Sequence, residues 1–272
     1  MNDGEQDSVD EVEPDGPSDG ASERLDQTAQ REMRYVLRAH PRTEDALEAL
    51  ATFLVEQIAD AIERRGRARI ALAGGSTPRR LYELLAGPTW TERIDWTRVE
   101  VFFGDERCVP LSAPESNYQM ALGSLLDPAD VPEENVFAID TSRSPYDAAA
   151  DYAERLGRAA LDVVLLGIGD DGHTASLFPG GPETKGLVEG AVIATKSPIP
   201  PYERVSLSFG TINAARHVAF LVLGAAKAPA VGDVLGQLDG PEDRIDLPAA
   251  MIRPAAGPPQ WFVDRDAVGG RT

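Results

Sequence analysis

The most restrictive feature of this chain is a series of short apolar runs, each the length of one strand and each ending in a polar loop. The runs at 69–73, 99–103, 162–166 and 217–223 are apolar almost throughout rather than alternating. A strand without a polar face has none to give to water, so both sides must be covered. Between the runs lie segments with helical spacing. Thr43 precedes Glu44 and Asp45, then Ala46, Leu47, Leu50, Leu54 and Ile58, which predicts a helix capped by Thr43 and ended by Gly66. A second helix is expected to open with Pro78 at its first position. A third is expected to be capped by Ser116 and to run to Leu126, a fourth to cover 145–157, and a fifth to start near Ala225. Further strands are expected at 35–37, 136–139, 192–195, 205–208 and 261–263. Strands alternating with helices predict an α/β fold with a mainly parallel sheet flanked by helices.

Organisation follows from where apolar residues are missing. Residues 1–30 hold ten carboxylates against Arg24 and almost nothing to bury. That composition predicts a disordered acidic tail, with a single α/β domain over 31–272. The formal charge of −19, from 26 Lys and Arg against 45 Asp and Glu, argues against a nucleic-acid partner and against docking on an anionic membrane. The longest apolar stretch, 217–226, is too short to span a bilayer. A lone cysteine, Cys108, excludes an internal disulfide and a cysteine-based zinc site. No secretory signal is visible, so a cytoplasmic protein is expected.

In parallel sheets ligands sit beyond the carboxyl ends of the strands, so the loops at 74–77, 104–107, 167–178 and 224–227 are the places to seek chemistry. Gly74, Gly75, Ser76 and Thr77 lie between a buried strand and a helix. Two glycines let the backbone approach a ligand, and free N–H groups with two hydroxyls suit a phosphate; an ordinary capped turn would read the same way. Gly167, Gly169 and Gly172 match a dinucleotide fingerprint in spacing, but Pro179 and Gly180 interrupt the helix that fingerprint needs. His173 ends the same loop beside Asp170 and Asp171. A neutral imidazole there suits a general base near pH 7, with either aspartate to orient it. His40 and His217 read as structural. Asp105 and Arg107 follow another buried strand, where an arginine can hold an anion and a carboxylate can face a reacting carbon. Arg204 and Lys227 are further candidate cations, and Lys227 is one of only three lysines. No histidine or cysteine stands at metal-ligand spacing from His173.

Taken together the motifs resemble those of the 6-phosphogluconolactonases. They are Leu-Ala-Gly-Gly-Ser-Thr-Pro at 72–78 with Leu-Tyr-Glu-Leu-Leu at 81–85, Phe-Gly-Asp-Glu-Arg at 103–107, and Pro-Glu-Ser-Asn-Tyr at 114–118. The longest is Leu-Gly-Ile-Gly-Asp-Asp-Gly-His-Thr-Ala-Ser-Leu-Phe-Pro-Gly at 166–180, followed by Ser-Pro-Ile-Pro-Pro at 197–201 and Gly-Ala-Ala-Lys at 224–227. The resemblance runs from about residue 35 to Val263. It implies an open, Rossmann-like sheet shared with glucosamine-6-phosphate deaminases and ribose-5-phosphate isomerases. It implies hydrolysis of 6-phospho-D-glucono-1,5-lactone in the oxidative pentose phosphate pathway, with no metal or organic cofactor. It also implies His173 as the base, Asp171 holding its ring, Arg107 and Asp105 at the reacting end, and a phosphate pocket of Gly74, Gly75, Ser76, Thr77, Arg204 and Lys227. The expected partner is this one small substrate, and a monomer or small homo-oligomer is expected. Two other readings stand beside it: a glucosamine-6-phosphate deaminase-like isomerase, whose second motif would carry tyrosine where Arg107 stands, and a non-catalytic sugar-phosphate binding protein.

Overall fold

The computed structural model describes Met1 and residues 33–270; apart from Met1, the acidic segment 1–30 lies outside the described residues. From Arg34 onward the chain enters strand β1 (Val36–His40), helix α1 (Thr43–Arg65), strand β2 (Ala68–Leu72), helix α2 (Ser76–Ala86) and strand β3 (Val99–Phe103). A short strand β4 (Asp105–Arg107) and helix α3 (Asn117–Ala121) follow, then helix α4 (Pro145–Leu156), β5 (Val163–Leu166), β6 (Val192–Lys196) and β7 (Glu203–Leu207). The chain closes through β8 (His217–Val222), helix α5 (Ala228–Asp239) and β9 (Gln260–Asp264).

Six strands form one parallel sheet in the order β1-β9-β8-β5-β2-β3. All of β2 and β5 is buried, as their uninterrupted apolar composition requires. Even Arg69 in β2 is buried: its guanidinium lies 4.7 Å from the Phe102 ring and donates to the carbonyls of Leu156 and Ala159. Helix α1 buries Ala46, Leu50, Ala51, Leu54, Ile58 and Ala61 on one face, and Gly66 stops it at φ 82°, a left-handed position that favours glycine.

Several details depart from the sequence reading. Thr43 is the first residue of α1 rather than its cap, because its hydroxyl donates to Asp264 Oδ2 at 2.6 Å across the fold. Helix α2 begins at Ser76, two residues before Pro78. The helix capped by Ser116 changes to a π-turn over Leu122–Leu126. The 136–139 segment contributes only a bridge between Val136 and Val101. The expected loop at 105–107 is strand β4, which pairs antiparallel with β7; β7 pairs antiparallel with β6 to complete a second, three-stranded sheet. Three consecutive polar residues gave β4 no apolar signature.

The strand order explains where ligands belong. The chain runs outward from β2 to β3, then returns through β5, β8 and β9, so its direction reverses between β2 and β5. At such a reversal the flanking connections leave on opposite faces of the sheet and open a crevice at the strands' carboxyl ends. The loops opening that crevice are those of Gly74–Thr77 and of Gly169–His173.

Candidate active site

Two buried tyrosines set the edge of this crevice. Tyr82 in α2 accepts from the N–H of Ala73 at 2.9 Å and donates to its carbonyl at 2.8 Å. Tyr152 in α4 does the same for Phe103, at 2.7 and 3.2 Å. Each hydroxyl thus replaces a ladder partner where its strand ends, immediately before the glycine that starts a functional loop. Burial raises both phenol pKa values, so the hydroxyls remain protonated. The composition of 81–85 placed Tyr82 on a helix but held no signal of this role.

Beyond β2, Gly75 turns the chain at φ 107° and Ser76 opens α2, with no side chain capping its first turn. The amides of that turn are therefore available to an anion. Gly74 is required by close approach: a β-carbon there would stand 1.9 Å from Asn117 Oδ1.

Beyond β5, the loop turns tightly on itself. Gly169 N–H donates to the His173 carbonyl at 2.8 Å, and Gly172 sits at φ 79°. No helix follows the three glycines, in keeping with rejection of the dinucleotide fingerprint. Asp171 Oδ1 accepts from the His173 backbone N–H at 3.1 Å and lies 2.5 Å from Nδ1 of its ring. That contact places the ring proton on Nδ1 and leaves Nε2 as the nitrogen with a free lone pair. The ring is about one-third exposed and rests on Phe178, with ring centres 4.8 Å apart. Thr174 Oγ1 donates to the Gly167 carbonyl at 2.8 Å, and Ala175 takes φ 48°, so the loop folds back towards β4. There Ser176 Oγ donates to Asp105 Oδ2 at 2.6 Å.

The cations arrive from three directions. Arg107 and Arg204 are directly opposed partners in the β4–β7 pairing. Arg204 is buried and donates through Nε to the Pro201 carbonyl at 2.7 Å; burial, then the charge of Arg107, lowers its pKa. Arg107 donates to the Glu115 carbonyl, but its Nε is buried without a partner. Two adjacent guanidiniums repel each other and gain most from an anion placed between them. Lys227 follows β8 and donates to Asp170 Oδ1 at 2.7 Å, a bond that holds the Asp170 carboxyl below the usual range. The two aspartates of the loop thus separate: Asp171 serves His173, and Asp170 serves Lys227.

One cavity of about 300 Å³ gathers these groups. It is lined by Gly74, Gly75, Ser76, Thr77, Asp105, Arg107, His173, Arg204 and Lys227, so every expected site residue except Asp171 reaches it directly. Asp171 touches it through His173. Asn117 and Asp170 also line the wall; the sequence reading gave Asn117 no role and offered Asp170 only as one of two aspartates that could orient His173. Cys108 and His217 lie outside: burial pushes the thiol up to about 11, and His217 sits edge-on to Phe53 with a pKa lowered by burial. Among the described residues no cluster of three or more His, Cys, Asp or Glu could hold a metal, and no helix is long and apolar enough to cross a membrane.

Fold and site define an α/β protein with a cation-lined polar cavity at the switch point of a parallel sheet. The chain belongs to the family described as glucosamine-6-phosphate isomerases/6-phosphogluconolactonase, whose model matches residues 41–261. Among curated relatives, a 6-phosphogluconolactonase of Synechocystis is 37% identical over 231 residues, which cover 81% of this chain and 92% of that protein. One from Nostoc is 38% identical over 224 residues, covering 79% and 89%. Among solved structures, the devB protein has a TM-score of 0.78 at 30% identity, covering 88% of this chain and 100% of that one. The 6-phosphogluconolactonase of Trypanosoma brucei has a TM-score of 0.75 at 30% identity, covering 89% and 100%.

Proposed function

We propose that this protein hydrolyses 6-phospho-D-glucono-1,5-lactone to 6-phospho-D-gluconate, a step of the oxidative pentose phosphate pathway. The observation that carries the mechanism is the 2.5 Å contact between His173 Nδ1 and Asp171 Oδ1 at the wall of a cavity lined by cations. Nε2 of His173 takes a proton from water, and the resulting hydroxide attacks the lactone carbonyl carbon. Asp171 stabilises the imidazolium as it forms. The carbonyl π electrons move onto its oxygen, and Arg107 stabilises that oxyanion. When the tetrahedral intermediate collapses, the bond to the ring oxygen breaks, the imidazolium returns the proton to that oxygen, and the new carboxylic acid ionises, releasing one proton to solvent. Asp105 faces the reacting end. The phosphate is held by the first turn of α2, with Ser76, Thr77, Arg204 and Lys227. These cations focus a dianion onto a protein of charge −19. The protein acts in the cytoplasm, as one α/β domain from residue 31, on a small substrate rather than on nucleic acid, and without a cofactor.

The test is proton release at constant pH from freshly prepared lactone, with the spontaneous rate subtracted. Catalysis well above that rate, without ammonia release from glucosamine 6-phosphate, is the expected result. Ammonia release with no lactone hydrolysis would assign the site to the deaminase branch. Phosphosugar binding without either reaction would make it a binding protein.

A further inference from the structure

The mechanism leaves Asn117, a buried polar group of the cavity wall, without a task. Asn117 opens α3 and is 2% exposed. Its Nδ2 donates twice to Asp105, to the carbonyl at 2.8 Å and to Oδ1 at 3.2 Å. With Ser176 on Oδ2, both carboxylate oxygens of Asp105 are gripped by neutral donors, one from the start of α3 and one from the loop after β5. Asn117 Oδ1 is buried with no partner and fills the place of a β-carbon on Gly74. An unpaired buried amide oxygen opposes stability, so packing alone does not account for an asparagine here.

The surroundings are built to hold that amide still. Side chains alternate along a strand, so Asp105 and Glu106 leave β4 on opposite faces. Glu106 is 1% exposed and accepts from the N–H groups of Arg107, Asn117 and Tyr118 at 2.7–2.8 Å and from Ser116 Oγ at 2.9 Å. A whole buried carboxylate therefore fixes the start of α3, from which Asn117 reaches back to the neighbouring residue. Burial pushes the Glu106 pKa up, and these hydrogen bonds oppose that rise.

We infer that Asn117 is a positioning residue: its Nδ2 fixes the orientation of the Asp105 carboxylate at the reacting end, and its contact with Gly74 locks that carboxylate to the phosphate loop. The inference rests on the reading of Asp105 given above. It makes the asparagine of 114–118 a part of the site that acts through another residue.

The test is a double-mutant cycle on kcat/KM for the lactone, with circular-dichroism melts to confirm that each full-length variant is folded. Asn117→Ala should lower kcat/KM about 10- to 100-fold, the effect of misplacing a group by about an ångström. In an Asp105→Ala background the same change should cost less than about 3-fold, because nothing remains to position. Asn117→Asp preserves shape but replaces the donor with an acceptor, and should lose at least as much as the alanine variant at neutral pH. Equal losses in both backgrounds would overturn the inference and leave Asn117 structural. So would wild-type kcat/KM in a folded Asn117→Asp variant, since shape alone would then suffice. If Asp105→Ala itself kept wild-type kcat/KM, the reading of Asp105 would fall and take the inference with it; that outcome is separable because it appears without any change at Asn117.

Discussion

Alanine in place of Gly169 should disable the histidine without disturbing the fold. A β-carbon at residue 169 would stand 2.0 Å from His173 Nδ1 and 2.1 Å from Cε1, against ordinary contact from 3.4 Å. Gly169 is not in the left-handed region, so its backbone accepts alanine, and the three atoms nearest that β-carbon all belong to the His173 ring. The ring must yield, by about 1.4 Å at least. A retreat of that size breaks the bond to Asp171 and carries Nε2 away from the attacking water. Misplacement by about 1 Å can cost a factor of about 10², so kcat should fall about 100-fold. KM should stay within a few-fold, since Ser76, Thr77, Arg204 and Lys227 are untouched. The melting temperature should move by less than about 4 °C, the equivalent of ~1 kcal/mol in a protein of this size, because the displaced ring is already partly in solvent. Initial rates of proton release at constant pH, corrected for spontaneous hydrolysis, measure the first two quantities. A folded Gly169→Ala variant with kcat within about 3-fold of wild type would refute the argument. The base would then have to be sought at Asp105 or Asp171.

Four further outcomes follow from the same geometry. His173→Gln should lower kcat by about 10²–10⁴-fold with little change in KM, the usual worth of a positioned base, as steady-state kinetics will show. Lys227→Ala and Arg204→Ala should mainly raise KM, because a phosphate grip acts on ground and transition states alike; unchanged KM with lost kcat would move both into the chemistry. Asp170→Asn should lower KM, because the carboxylate charge that competes with the phosphate for Lys227 is removed and only a weaker neutral acceptor remains at the 2.7 Å contact; a raised KM would show that Asp170 orients the lysine instead. Tyr82→Phe should cost about 1–3 kcal/mol in denaturant unfolding, since it strands the buried N–H and carbonyl of Ala73.

Much of this molecule was determined locally. A run such as Val163–Leu166 has no polar face, so burial on both sides and a parallel sheet followed from composition alone. The glycine loops were legible because a backbone that turns sharply after a buried strand leaves few residue choices, and Gly75 and Gly172 do take positive φ. His173 stood out as the one histidine placed in such a loop, and Lys227 as a rare lysine beyond a strand. Strand β4 was invisible because its residues, Asp105, Glu106 and Arg107, carry no hydrophobic period; only pairing with β7, about a hundred residues later, makes them a strand. The same pairing sets Arg107 against Arg204, which no local signal foretold. Asp170 and Asp171 are adjacent and chemically identical; the family resemblance picked Asp171 for His173, and only tertiary geometry gave Asp170 to Lys227. Asn117 and Gly74 read separately as a helix start and a turn glycine, and only in space does one side chain occupy the place of the other's missing β-carbon. Local sequence specifies which backbone shapes and burial patterns are affordable, while the partner of a polar side chain depends on which distant loops the strand order brings to the same end of the sheet.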